Sequence, residues 1–266
     1  MKKVCVIIPM FGKEQYTRKC IALTLKNAGI PVDILVVDDG SPERFEDDGD
    51  IYIVRLEKNT GFSNAANQGI IQAQKMNYEY VHVLNNDTEP HPGFLKPLLD
   101  HMERNPEVGI ASSARKLVTD SPYNIELFGQ DLIRGHQRVS DGKNLPDVIP
   151  VRWVALASAM YRMDMLREIG LFDKRMINWC SDNDICLRAG FAGWKVVLIP
   201  ESLVLHHHQV TTGKTVGTPA EKMVIEDQRV FLEKLAGYQY SELLNEMPLD
   251  WERKTYGRLT FNVVER

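Results

Sequence analysis

Nowhere do the 266 residues hold an apolar stretch near the roughly 18 that a membrane span needs. The opening MKKVCVIIPMFGKEQ has too short an apolar run, and no small-residue cleavage site, for a secretory leader. A cytosolic chain is the expectation. Positive charge is also in short supply: 32 Lys and Arg against 36 Asp and Glu leave a formal net charge of −4. That balance lacks the basic excess with which nucleic-acid binders grip phosphates. Cysteine is scarce, and Cys5, Cys20, Cys180 and Cys186 lack CxxC spacing and lie in apolar surroundings, which suits reduced core thiols better than zinc ligands or disulfides. There are no internal repeats or low-complexity tracts. No G-x-S-x-G elbow accompanies the histidines, which argues against a serine nucleophile.

What is present is a composition of 44% hydrophobic and 26% charged residues, enough for one large core. VCVIIP (4–9) reads as a buried strand, EQYTRKCIALTLKNAG (14–29) as a helix closed by glycine, and DILVVDDGSP (33–42) as a second strand running into a turn. IYIVRLE (51–57), the helix in SNAANQGIIQAQKM (63–76) and YVHVL (80–84) repeat that alternation. The pattern predicts an α/β fold with a mostly parallel, Rossmann-like sheet and helices on both faces. Ligands of such sheets bind beyond the carboxyl ends of the strands. PMFGK, DDGSPE and NNDTEP should therefore converge on one crevice.

The second half is less regular. A helix (94–105) and a strand (108–117) precede a Gly-, Pro-, Asp- and Asn-rich stretch (118–150) that reads as a long loop. WVALASAMYRM (153–163) reads as a strand, DICLRAGF as a helix, KVVLIPESLVLHHH as a strand, and the segment from Glu221 as helical, with a short strand at the end. Local alternatives attach to several polar residues. Asp87 with Thr88 can form an Asx-type turn before Pro90. Gly40 suits a turn at positive φ, and Asn59 a turn as well. Ser181 and Asp184 have capping-box spacing, with Ser181 as N-cap and Asp184 as the N3 acid, whose loss would cost about 1 kcal/mol. Strand alternation would send one of His206, His207 and His208 into the core and the others to solvent.

Taken together, VIIPMFGKE, ILVVDDGSPE, NTGFSNAANQGI, LNNDTEP, GLFDKRM, SDNDICLRAGFAGWKV and IPESLVLHH resemble the family 2 glycosyltransferases of GT-A fold, most closely bacterial enzymes of the rhamnosyltransferase kind. The likeness runs over residues 3 to 215. It implies an inverting glycosyltransferase that takes a UDP- or dTDP-sugar donor and a saccharide or lipid-linked saccharide acceptor, in polysaccharide or glycan assembly. A binding protein that holds nucleotide sugars without transferring them is the alternative. The implied divisions are a glycosyltransferase domain over 1–220 and a helical extension over 221–266. The domain's nucleotide-sugar half would span 1–117 and its acceptor and catalytic half 118–220.

The resemblance also implies roles. The family's Asp-x-Asp pattern falls on Asn85-Asn86-Asp87, making Asp87 the main ligand of Mn²⁺ or Mg²⁺, Asn85 a weaker neutral oxygen and Asn86 a nucleotide contact. His206 would complete the metal site. Pro9, Met10 and Phe11 would wall the nucleotide base, Asp39 would accept its imide N–H, Gly61 would let backbone approach the donor, and Asn64 and Asn67 would hydrogen-bond it. The family's Glu-Asp-x-Asp pattern becomes Ser181-Asp182-Asn183-Asp184, with Asp182 as catalytic base and Asp184 as runner-up. Trp179, beside that base, is the candidate acceptor contact. Action at the inner face of the membrane, by peripheral association, and a homodimer are both compatible with this reading.

Overall fold

A computed structural model describes residues 3–46, 49, 51–117, 125–127, 138–140, 145–207 and 219–237. Its strands are β1 (Val4–Met10), β2 (Asp33–Asp38), β3 (Tyr52–Arg55), β4 (Tyr80–Leu84), β5 (Thr88–Pro90), β6 (Val108–Leu117), β7 (Ile125–Leu127), β8 (Arg138–Ser140), β9 (Ile149–Pro150), β10 (Ser158–Arg162) and β11 (Lys195–His206). The helices are α1 (Glu14–Asn27), α2 (Phe62–Lys75), α3 (Leu95–Arg104), α4 (Met163–Ile169), α5 (Ser181–Phe191) and α6 (Pro219–Gly237).

One sheet runs β3-β2-β1-β4-β10-β6-β11-β5. Strands β1 to β4 are parallel, and so are β6 and β11. β10 is antiparallel to both β4 and β6, so β6 and β11 run the same way as β4. The carboxyl ends of six strands thus share one edge, and the amino end of β10 arrives there too.

Strand alternation sorts the core into two layers. Cys5 and Ile7 of β1, Leu35 and Val37 of β2, and Val81 and Val83 of β4 face one layer, where α2, α5 and α6 pack. Val6, Ile8, Ile34, Val36, Tyr80 and Leu84 face the other, under α1 and α3. Every residue of β1 is buried, as a strand covered on both faces must be, which explains its unbroken apolar run.

The run 153–163 behaves differently from the expected strand. Only Ser158–Arg162 pairs; Trp153, Val154 and Leu156 are buried in irregular backbone at the edge of the sheet. Apolarity reported burial there, and periodicity could not separate strand from buried loop. Strands β7 to β9 lie inside the stretch read as a loop, of which residues 118–124, 128–137 and 141–144 fall outside the described residues, as does the C-terminal strand. The helix from Glu221 exists as α6, with Val230, Phe231 and Leu235 in the same core layer as α2 and α5. All four cysteines are free thiols, three of them buried.

Candidate active site

At the end of β4 the chain turns sharply. The Thr88 amide and hydroxyl both bond the Asn85 carbonyl, at 3.2 and 2.7 Å. Thr88 closes this turn on Asn85, and the Asp87 carboxylate meets His206, with Oδ1 3.1 Å from Nε2. Asn85 Nδ2 lies 3.3 Å from the same nitrogen, and Asn85 Oδ1 is buried without a hydrogen-bond partner among the described residues. Asn86 points away, its Nδ2 donating to Thr17 Oγ1 at 3.0 Å, which ties the loop to α1.

Behind His206 stands Arg115 of β6, buried, with a guanidinium nitrogen 3.2 Å from Nδ1. Arginine can only donate, so Nδ1 accepts and the imidazole proton sits on Nε2, aimed at Asp87. Burial and the Arg115 charge both lower the His206 pKa, with Asp87 opposing them. This geometry qualifies the expected metal site. Among the described residues no three His, Cys, Asp or Glu side chains gather to hold an ion. Asp87 and the orphaned Asn85 Oδ1 are hard oxygens suited to Mg²⁺ or Mn²⁺. His206 could ligate only after Arg115 releases Nδ1, because a ligating Nε2 requires the proton on the other nitrogen. Of the other two histidines, His207 is half-buried and bonds Glu89, and His208 lies outside the described residues.

The Asn85 amide donates to the Ala157 carbonyl at 3.0 Å, and the neighbouring Leu156 backbone hydrogen-bonds the Asp182 carboxylate. One short loop therefore joins the Asn85–Asp87 turn to the second residue of α5. Desolvation pushes the Asp182 pKa up to about 6, although bonds from the Asn183 and Leu156 backbone and the charge of Arg115 oppose it. A carboxylate tuned toward neutrality suits a general base.

Asp184 is placed quite differently. Helix α5 begins at Ser181, and Cys180, at φ 62° and without a capping side-chain bond, occupies the N-cap. Ser181 is the first helical residue, its Oγ buried and unbonded, so the capping box is not formed. The Asp184 carboxylate is fully buried against Arg188, at 2.9 Å from Nε, and against the Lys234 ammonium from α6. Held by two cations, it links α5 to α6.

The DDGSP loop divides its two aspartates. Asp38 accepts from the Ser41 and Phe45 amides and pairs with Arg55, and its pKa is lowered as those bonds outweigh burial. Asp39 accepts from the Thr60 amide (2.8 Å) and hydroxyl (2.6 Å) and from the Gly61 amide (2.8 Å). Burial nevertheless raises its pKa. Gly40 takes φ 70°, as the turn requires.

Two residues expected at the donor are engaged by the chain itself. A Cβ on Gly61 would lie 2.1 Å from Ile177 Cγ2, so the close approach that this glycine permits is to Ile177. Asn67 mimics backbone, donating to the Phe172 carbonyl at 2.8 Å and accepting its amide at 3.0 Å, which leaves it bound to the chain itself. Asn64 donates to Thr60 Oγ1 at 2.8 Å and stays half-buried beside the loop. Pro9 and Met10 are buried within β1, whereas Phe11 and Trp179 are half-exposed. Arg115 and Thr60 were missed in the sequence. The signal for Arg115 was a charge, next to Lys116, following the small and apolar run VGIASSA.

Residues 5–170 match the family described as Glycosyl transferase family 2, well over half of the chain. The chain belongs to that family. Among curated relatives, the N-acetylglucosaminyl-diphospho-decaprenol L-rhamnosyltransferase of Mycobacterium tuberculosis is 26% identical over 212 residues, 69% of each chain. Among solved structures, GalNAc-T7 with UDP, GalNAc and Mn²⁺ superposes with a TM-score of 0.67 at 16% identity, covering 93% of this chain. The chain spans about half of GalNAc-T7, 52% of its length. Residues 1–349 of Staphylococcus aureus TarS give 0.54 at 14% identity, covering 96% of this chain and 77% of that one. The fold of this glycosyltransferase is GT-A: a mixed sheet with its motif loops at the carboxyl ends of the strands. No helix among the described residues is long and apolar enough to cross a membrane.

Proposed function

We propose that this glycosyltransferase moves a sugar, with inversion, from a UDP- or dTDP-sugar to a hydroxyl of a saccharide or lipid-linked saccharide acceptor. The observation that carries the reading is Asp182, a carboxyl raised to about 6 and joined through Leu156 and Ala157 to the Asn85–Asp87 turn. Asp182 accepts the acceptor hydroxyl's proton while that oxygen bonds the anomeric carbon, and the bond from that carbon to the diphosphate breaks on the opposite face. Asp87 with Asn85 would hold a divalent ion, Mn²⁺ or Mg²⁺, which neutralises charge on the departing diphosphate. Arg115, bonded to His206 and near enough for its charge to act on Asp182, adds a second positive charge on that side. Phe11, Asp39 and the Thr60–Gly61 turn make up the nucleotide side, and Trp179 the acceptor side. The M. tuberculosis rhamnosyltransferase, whose name specifies a lipid-linked diphosphate acceptor, supports the acceptor class.

Calorimetry with uridine and thymidine diphosphates, with and without Mn²⁺, tests the donor side. Asp87→Ala should abolish the gain in affinity that Mn²⁺ gives and leave the fold intact. Unchanged affinity removes Asp87 from the metal site. Acceptor-dependent release of nucleoside diphosphate tests transfer, and donor binding without release under any acceptor would favour a binding protein.

A further inference from the structure

Helix α6 reaches the segment beside the site through Asp227 and through Met223, whose sulfur accepts from Asn178 Nδ2 at 3.0 Å. Asp227 is fully buried, and its carboxylate receives three consecutive backbone amides: Ile177 to Oδ1 at 2.8 Å, and Asn178 and Trp179 to Oδ2 at 2.9 and 2.8 Å. These amides belong to the irregular segment between α4 and α5, and no helix or strand partner satisfies them. Successive amides turned to one point form an anion-binding nest, here filled by the chain's own carboxylate.

The segment so held has two working ends. Upstream, the Ile177 carbonyl accepts the Ser63 amide at 3.1 Å, Asn178 Oδ1 accepts the Phe62 amide at 3.0 Å, and the Ile177 side chain fills the space that Gly61 leaves. Gly61 in turn donates to Asp39. Downstream, Trp179 passes into Cys180, whose left-handed backbone starts α5 two residues before Asp182. We infer that Asp227 is a positioning residue that sets, through one buried carboxylate, both the Asp39–Gly61 turn and the start of the helix carrying Asp182. The inference rests on the assignment of Asp182 as base. A mere tether for α6 would not need this carboxylate, since Val230, Phe231 and Leu235 already seat the helix and Lys234 pairs with Asp173 and Asp184.

The full chain carrying Asp227→Asn, Asp227→Glu or Leu235→Ala tests it by amide hydrogen exchange, melting temperature and steady-state kinetics. Asparagine keeps the shape but turns an NH₂ toward the amides, so exchange at residues 177–179 should speed up by at least about tenfold. Turnover, measured well below the melting point, should fall by about 10- to 100-fold, the scale of a small misplacement of a reacting group. Asp227→Glu should recover part of both. Leu235→Ala loosens α6 through packing alone and should lower the melting temperature while turnover stays within about twofold. The inference is overturned if Asp227→Asn leaves exchange at 177–179 unchanged, or if its turnover falls no further than that of Leu235→Ala. Loss of the Asp182 assignment alone, shown by an active Asp182→Asn enzyme, would leave the exchange result standing.

Discussion

Replacing Asp182 by Asn removes one ionisable proton and almost nothing of the side chain's shape, so its effects on stability and on turnover can be separated. Desolvation lifts the Asp182 pKa from 3.8 to about 6 in the folded chain. At about 1.36 kcal/mol per pH unit, keeping this carboxylate ionised where it stands costs the fold at most about 3 kcal/mol. The sign follows from proton linkage. The folded state holds the proton more tightly than the unfolded state, so wild-type stability falls as pH rises from the unfolded pKa through the folded one. Asparagine carries no such penalty. Asp182→Asn should therefore melt at nearly the wild-type temperature near pH 4 and several degrees higher near pH 8, at about 2–4 °C per kcal/mol for a chain of this size. Turnover should move the other way, dropping roughly 10²- to 10⁴-fold for want of a proton acceptor, with donor affinity little changed. Wild-type turnover should rise with pH through about 6 as the carboxyl ionises. Differential scanning calorimetry across pH, paired with steady-state kinetics, reads both effects. A variant that melts below wild type at pH 8, or a difference that fails to shrink toward pH 4, refutes the desolvation argument. An active variant refutes the base assignment.

Asp184→Asn should do the reverse, because it leaves the Arg188 and Lys234 cations facing a buried neutral amide. Removing one partner of such a group destabilises by about 3–5 kcal/mol, readable by denaturant melts, and turnover per folded molecule should be largely retained; a loss near 1 kcal/mol would restore the capping reading. Gly61→Ala places a Cβ 2.1 Å from Ile177 Cγ2 at φ 90°, so it should destabilise by about 1–3 kcal/mol and weaken nucleoside diphosphate binding through Asp39. An unchanged melting curve would mean that Ile177 yields freely.

The legible parts of this protein were those whose cause is local. VCVIIP, DILVVD and YVHVL announce buried parallel strands by apolar runs ending in turn residues, and the parallel-sheet rule then brings their loops to one edge. The parts read otherwise depend on partners far along the chain. Gly61 meets Ile177, Asn67 pairs with Phe172, and Asp184 meets Lys234, contacts that no window of ten residues contains. The capping box had the right spacing, yet a left-handed Cys180 moved the N-cap back by one residue and buried ion pairs claimed the acid.

One tertiary consequence was nonetheless latent in the spacing. Residues two apart in an α-helix stand about 200° from each other around the axis, on nearly opposite sides. Once α5 packs against the sheet and α6, Asp182 and Asp184 cannot share an environment. Asp184 turns to the Arg188 and Lys234 cations, which pair with it directly; Asp182 turns to the Leu156–Ala157 loop, where desolvation outweighs the charge of Arg115. The Asp-x-Asp interval thus gives one turn of helix an anchor that stays put and a carboxylate whose proton affinity is free to be raised. The family pattern offers two candidate bases, and helical geometry together with the placement of α6 favours Asp182, the assignment that the Asp182→Asn and Asp184→Asn variants test.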